Sequence, residues 1–334
     1  MARIPDQVVD KIRSVNILDI AKHFIPGMKK KGGNWWARSP WNDADQTPSF
    51  AVSPSKNIFK CFSTGHGGGV IELVMRLENC EYRDALVIIA GIAGIDMPKD
   101  TGPNIQSTHS RVFEINSKVS AHFQKTLMMD SNALEYLIGV RKLSLEAIAY
   151  FEIGLCVDSP VNDGFSKDSL IEAGIIRVGK GGTSTYCPFV RRITFPIRDI
   201  LGRVVGFSGR TFLQGDNRSK YTNTHETQFF KKSENLFGVW KNKSAIRRSG
   251  AILVEGQFDV IGLWDSGIKN AAASVGTSLT SGQVSLLSRL SDSISIMYDG
   301  DAAGQKAALR AANVVIKKGI VPSIISVPKG KDPE

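Results

Sequence analysis

No run of residues in this chain approaches the ~20 consecutive apolar positions that a membrane-spanning helix needs. Cysteine is scarce. The four present (Cys61, Cys80, Cys156, Cys187) are scattered rather than framed, which argues against a disulfide scaffold and for a reducing, cytoplasmic setting. The opening stretch MARIPDQVVDKIRSV mixes charges into an amphipathic pattern and lacks the apolar centre of a signal peptide. A GxxxxGK[ST] run is missing, so no motor of that kind is expected. There is no internal repeat and no low-complexity tract. These absences exclude the membrane-embedded, disulfide-stapled and motor classes.

What is present points elsewhere. Hydrophobic residues make up 42% of the 334, enough to build real cores, and the length suits two or three domains. Lysine and arginine outnumber acids 42 to 32, a net charge of +10. Between Arg191 and Lys243 stand 11 Lys/Arg and 4 Asp/Glu, a net of +7 in about a sixth of the chain. Clustering of this kind suits a polyanionic partner, with a solvated basic face as the plain alternative.

Three blocks separate along the chain. Residues 1–97 open with a helical stripe (Val8, Ile12, Val15, Ile20) and turn to short strands, SFAV and NIFKCF flanking the turn SPSK. A helix is expected after Gly67–Gly69, a run that resembles a phosphate-cradling loop but more often makes a tight turn. Residues 98–110, PKDTGPNIQSTHS, read as a linker. From Arg111 to about Leu155 the pattern is helical, followed by strands, turns and the basic cluster. From Ser249 onward buried strands (251–255, 271–275, 294–299, 323–327) alternate with helices (258–266, 281–290, 302–318), which predicts a parallel, Rossmann-like sheet.

In open α/β sheets ligands sit beyond the carboxyl ends of the strands, and acids recur there. Glu255 closes the first strand within VEGQFD, and Asp259 follows one helical turn later. Asp299 and Asp301 close the third strand in YDGD. Asp332 and Glu334 follow the last strand in KGKDPE. Capping of helices and turns is the plain alternative, but like charges clustered at three strand ends are costly unless compensated. All-oxygen donors select a hard cation, Mg²⁺ or Mn²⁺, over zinc.

These residues carry a family resemblance. VEGQFDVIGLWDSGIKNAAASVGTSLT, YDGDAAGQKAALRAA and PKGKDPE together resemble the Toprim domain of DnaG-type primases. RRITFPIRDILGRVVGFSGRTF and KYTNTHETQFFKKSENLFGVW resemble the basic half of the same RNA polymerase core, and YLIGVRKLSLEAIAYFEIGL its helical entry. TPSFAVSPSKNIFKCFSTGHGGGVIELVM resembles the primase zinc-binding domain. The resemblance implies an α+β chain with an α/β part: a zinc-ribbon-like β domain (1–97), the linker (98–110), a mixed α/β basic subdomain (111–248) and a Toprim domain (249–334). It assigns metal binding to Glu255, Asp259, Asp299, Asp301 and Asp332, with Glu334 where a further acid is usual. Arg141, Arg210, Lys220, Tyr221, Asn223 and Lys232 match positions that contact nucleoside triphosphate or nucleic acid, chemistry that Arg forks, Lys point charges and Tyr rings suit.

Two departures stand out. The family carries three Cys and one His as zinc ligands, whereas this chain has Ser39, Asn42, Cys61 and Thr64 at those positions. One thiolate with Ser, Asn and Thr cannot replace them. A Cys61–His66–Cys80 site is a remaining alternative, and the expectation is a zinc-free version of the fold held by its aromatic core. Beyond KDPE no residues match the family's helical subdomain or helicase-binding domain. A fragment, or a compact primase of the kind found in phages and mobile elements, would each explain that.

The resemblance implies template-directed synthesis of short RNA primers on single-stranded DNA, from NTPs, with a separate replicative helicase, in the cytoplasm of a bacterial cell or phage-infected host. The rival readings are a primase-like nucleic-acid-binding relic without activity, and another Toprim enzyme, a nuclease or topoisomerase.

Overall fold

The structure is a computed structural model. It describes residues 4–25, 27–42, 47–78, 82–97, 106–179, 181–182, 184–213, 215–276, 278–328, 330 and 333, with 106–110 described in backbone alone. The chain forms two compact units, Met1–Ser107 and Thr108–Glu334. No helix among the described residues is long and apolar enough to cross a membrane.

The first unit begins with two helices, α1 (Asp6–Arg13) and α2 (Ile17–Phe24). The expected stripe from Val8 to Ile20 is therefore broken, because the Asn16 side chain accepts from Leu18 N and starts a new helix. The break is clamped by Asn57 in the turn of a hairpin. Its Oδ1 accepts from Ile17 N (2.8 Å) and its Nδ2 donates to the carbonyls of Arg13 and Val15 (3.0 Å each). An antiparallel sheet follows, built from β1 (Lys29–Lys31), β2 (Asn34–Ala37), β3 (Phe50–Ser53), β4 (Ile58–Cys61) and β5 (Gly67–Gly68) in sequence order. The predicted hairpin is β3–β4, with Phe50 opposite Cys61 and Val52 opposite Phe59. These four side chains face the core and are covered by α2, α3 (Val70–Glu78) and α4 (Tyr82–Ala93).

The second unit opens with α5 (Gln106–Leu127), so helix begins inside the stretch read as linker; residues 98–105 lie outside the described residues. Next come α6 (Ser131–Glu135), a π-helical turn (Tyr136–Val140) and α7 (Leu145–Tyr150). Strand β6 (Gly154–Cys156), helix α8 (Lys167–Glu172) and the small hairpin β7 (Arg177–Val178) and β8 (Thr185–Tyr186) precede the long strands β9 (Arg192–Arg198) and β10 (Val204–Arg210). With β11 (Tyr221–Asn223) these make an antiparallel sheet in the order β11-β10-β9-β6. Six of the seven residues in β9 and in β10 are buried, so this sheet is covered on both faces.

The last layer is a parallel sheet with helices on both sides. It contains β12 (Leu236–Phe237), α9 (Val239–Ser249), β13 (Ala251–Val254), α10 (Gln257–Asp265), β14 (Ala271–Ser274), α11 (Ser281–Ser288), β15 (Ile294–Ile296), α12 (Ala302–Ile316) and β16 (Ser323–Ile324). Strand order is β12-β14-β13-β15-β16, parallel except for β12. Residues 236–248, grouped by sequence with the basic half, thus belong to this layer as an edge strand and a covering helix. The last strand differs from expectation. β16 is exposed rather than buried, being an edge strand with a neighbour on one side only. The sheet's two faces feed separate cores. Ala271 and Ala273 pack with α10, whereas Ala272, Leu253 and Ile296 pack with α11 and α12.

Candidate metal and nucleotide site

Strands β13 and β15 are parallel neighbours, so the residues following them emerge at one edge of the sheet. Glu255 and Asp299 meet there, with Asp299 N donating to Glu255 Oε1 at 3.2 Å. The other two described acids start helices. Asp259 Oδ2 accepts from Gly256 N (2.8 Å) in the first turn of α10, and Asp301 Oδ1 accepts from Gly304 N (2.7 Å) at the head of α12. Capping and strand-end clustering therefore occur together. The turn between them is tight. A Cβ on Gly300 would collide with the Pro328 carbonyl, and one on Gly304 with the Asp299 carbonyl. Asp332 and Glu334 lie outside the described residues. Among the described residues no group of three His, Cys, Asp or Glu side chains closes on a single point.

The cationic half grows from β10 and β11, which pair Arg210 with Tyr221. Arg210 Nη1 donates to the Tyr221 hydroxyl at 2.7 Å. Its guanidinium lies 4.8 Å from the centre of the Phe258 ring, and that of Arg141 lies 4.1 Å from the same ring. Arg141 ends the π-helical turn, and Tyr136 at the start of that turn meets Phe258 edge-on. Burial raises the Tyr221 phenol above its ordinary range, opposed by Arg210 and Arg141 and reinforced by Asp259. The two arginines, the phenol and Asp259 thus share one electrostatic neighbourhood. Gln257, buried beside Phe258, donates to Ser208 Oγ at 3.2 Å and ties the acidic turn to the strand carrying Arg210.

The remaining basic positions divide. Lys220 is exposed at the entry to β11, where its carbonyl accepts from Thr211 N. Lys232 is half-buried, with its N–H bonded to Glu226 and its carbonyl to Gln283. Neither ammonium is brought against the arginine pair. Asn223 is buried, with Arg177 donating to its carbonyl (2.6 Å) and its amide against Gly276, whose φ of +65° and crowding both require glycine. Its position looks inward, as a strut between β11 and the loop after β14.

In the first unit Cys61 sits in a nest of hydroxyls. Its thiol donates to Ser39 Oγ at 3.2 Å and lies 3.4 Å from Ser63 Oγ and 3.9 Å from Ser49 Oγ. Burial alone would raise this thiol, but hydrogen bonds that its thiolate accepts from Ser39, Ser63 and Thr64 outweigh it and bring the pKa to about 7. Thr64 occupies the turn after β4, and Asn42 is half-buried with no described contact to the thiol. The His66 ring stands edge-on to Trp41 at 5.4 Å, and its carbonyl accepts from Cys61 N. Cys80 lies outside the described residues. In the glycine run, Gly67 and Gly68 form β5, and Gly69 N donates to Glu72 Oε2, so the chain's own carboxylate takes the place of a phosphate.

Comparison with known proteins fits this geometry. Residues 4–104 match the CHC2 zinc finger family, 122–243 the N-terminal domain of the DNA primase catalytic core, and 252–334 the Toprim-like family. The Aquifex aeolicus DNA primase is 34% identical over 336 residues, spanning 98% of this chain and 65% of that relative. The Halalkalibacterium halodurans DNA primase is 32% identical, spanning 99% of this chain and 57% of that relative. The chain therefore spans less than two thirds of the length of these curated relatives. A crystal structure of the Aquifex aeolicus primase, comprising zinc-binding and RNA polymerase domains, is 33% identical with a TM-score of 0.65, covering 98% of this chain and 80% of that one. A DnaG primase catalytic domain bound to ssDNA is 32% identical with a TM-score of 0.61, covering 69% and 74%.

The chain belongs to the DnaG-type primase family.

Two metals follow from that membership, and the residues fit them differently. The pair of Glu255 and Asp299 fits a hard divalent ion, offering oxygen donors past neighbouring parallel strands. The described residues around Cys61 do not fit zinc. Hydroxyls of Ser39, Ser49 and Ser63 crowd the one thiol, and a structural zinc takes four ligands drawn chiefly from thiolates and imidazoles. Sequence reasoning missed Phe258 and Gln257. Both stand inside the primase motif VEGQFD, but an apolar ring between two acids reads as core until the arginines are seen over it.

Proposed function

We propose that this chain synthesises short RNA primers on a single-stranded DNA template by nucleotidyl transfer from NTPs, in the cytoplasm and beside a separate replicative helicase. The observation that carries this reading is the meeting of two half-sites in one unit: Glu255 and Asp299 at parallel strand ends, and Arg141, Arg210 and Tyr221 around the ring next to Asp259. Phosphoryl and nucleotidyl transfer ask the protein mainly to position groups and to neutralise charge. Arg141 and Arg210 bind the triphosphate, and their shared ring fixes where that charge sits. Tyr221 orients Arg210 through its hydroxyl. Glu255, exposed at the strand end, accepts the proton of the attacking 3′-hydroxyl.

Mg²⁺ or Mn²⁺ would be held by Glu255, Asp259, Asp299 and Asp301, with Asp332 and Glu334 as further candidates. When bound, such an ion neutralises phosphate charge and eases deprotonation of the hydroxyl. The N-terminal unit holds its ribbon without zinc and contributes to template engagement. Its sheet offers exposed Lys29, Lys30 and Lys31 beside the stacked rings of Trp36 and Phe62, a combination suited to single strands.

The test is primer synthesis with single-stranded DNA, four NTPs and Mg²⁺ or Mn²⁺, with elemental analysis of the same sample. Short RNA from the wild type and none from Asp299→Ala supports the reading. Salt-sensitive DNA binding without any product would favour the binding-relic alternative, for which the lost zinc ligands speak.

A further inference from the structure

On the α12 side of the parallel sheet lies a cavity of about 360 Å³, within the range of small-molecule sites. Glu255 forms part of its wall, joined by Ser274 from the end of β14, Tyr298 after β15 and Arg310 from α12; Leu279 and Ala311 supply apolar surface. Its position is set by topology. Strand β13 connects through α10 to β14 on one side, whereas its neighbour β15 connects through α12 to β16 on the other, so a crevice opens between them at the carboxyl ends. The arginine pair belongs to the other face. Phe258, which carries both guanidiniums, packs in the core with Ala271 and Ala273, whereas Ala311 packs in the core with Ala272 and Ile296. Glu255 at the end of β13 therefore stands at the edge of this cavity.

We propose that this cavity holds the acceptor nucleotide, the 3′-terminal ribonucleotide of the growing primer or the first nucleotide of a new one. The inference rests on the nucleotidyl-transfer reading and assigns the second substrate. The chemistry of the walls matches that ligand. Leu279 and Ala311 provide an apolar surface for a base, Ser274 and Tyr298 offer hydroxyls to a ribose, and Arg310 is exposed on α12 where it meets the nucleotide's 5′-phosphate. Glu255 alone is shared by the cavity and the acid cluster, so a 3′-hydroxyl seated here lies beside its proton acceptor. The 3′-oxygen forms a bond to the α-phosphorus of the NTP held by Arg141 and Arg210. The bond from that phosphorus to the β-phosphate bridge breaks, pyrophosphate leaves on the arginine side, and the hydroxyl proton passes to Glu255.

The full chain would be titrated with a 5′-phosphorylated ribodinucleotide, and extension of the same dinucleotide on a template measured with the NTP varied. Arg310→Ala, at an exposed position, should raise the dinucleotide Kd and its KM roughly tenfold, the size of one phosphate contact, with the KM for NTP unchanged. Ala311→Phe, which fills the cavity, should weaken dinucleotide binding further at unchanged affinity for template DNA. Failure of the wild type to bind the dinucleotide, or equal binding by both variants, would overturn the pocket. A shift confined to the NTP would overturn the assignment of sides. Binding that behaves as expected without any extension would sink the catalytic reading and leave the pocket standing.

Discussion

The nest around Cys61 and the pair Glu255 and Asp299 lie in segments that match the CHC2 zinc finger and Toprim-like families, and they are built differently. Around Cys61 the thiol is surrounded by hydroxyl hydrogen bonds, with Trp41 edge-on to Phe50 and Phe59 tilted against Phe50. At the strand ends Glu255 and Asp299 stand together, and Asp259 and Asp301 start the helices that follow. The difference follows from what each metal supplies. A structural ion contributes folding free energy, which apolar burial and satisfied polar groups can equally contribute. Carboxylates that organise a phosphate reaction supply charge at a defined place, and no packing substitutes for that.

The largest effect expected from this contrast is at Asp299. Asp299→Ala should cut primer synthesis by more than about 100-fold, since even neighbours of metal ligands cost 10–100-fold, while affinity for single-stranded DNA stays near wild type. Surviving activity would place the reaction elsewhere. Next comes the aromatic support of the cationic half. Phe258→Leu should raise the KM for NTP about tenfold, and Phe258→Tyr, which keeps the ring, should largely restore it; equal behaviour of the two would make Phe258 ordinary core.

At the N-terminal unit the expected outcome is no change. A chelator should leave the unfolding midpoint where it was, and the purified chain should carry no stoichiometric zinc. The smallest effect is on pH dependence. The folded thiol of Cys61 has a pKa of about 7 against 9.0 ordinarily, so its charged form is favoured by the fold. That stabilisation is fully present above pH 9 and is lost as pH falls toward 7. Denaturation curves should show wild type gaining on Cys61→Ser across that window, and parallel curves would remove the thiolate from the account.

Much of the fold could be read from residues in order. The β3–β4 hairpin follows from alternating SFAV and NIFKCF around a proline turn, and the alternating strands and helices after Ser249 follow from their apolar runs, because both are local patterns. Local reading erred where tertiary partners decide. One stripe became two helices because Asn16 and Asn57 satisfy the break, and β16 lost its burial because it stands at an edge. The helix of Gln106–Leu127 reached back into a stretch whose polar composition suggested a linker.

The site divides the same way. Sequence alone determined which acids follow which strands, since residue type and order carry that chemistry. Only the tertiary structure decided that Arg141 and Arg210, 69 positions apart, share the ring of Phe258, and that Asn223 faces inward. It also decided that a cavity opens behind Glu255. Cation–ring contact and enclosed volume depend on segments distant in the chain arriving at one place, and no periodicity along a single segment records that.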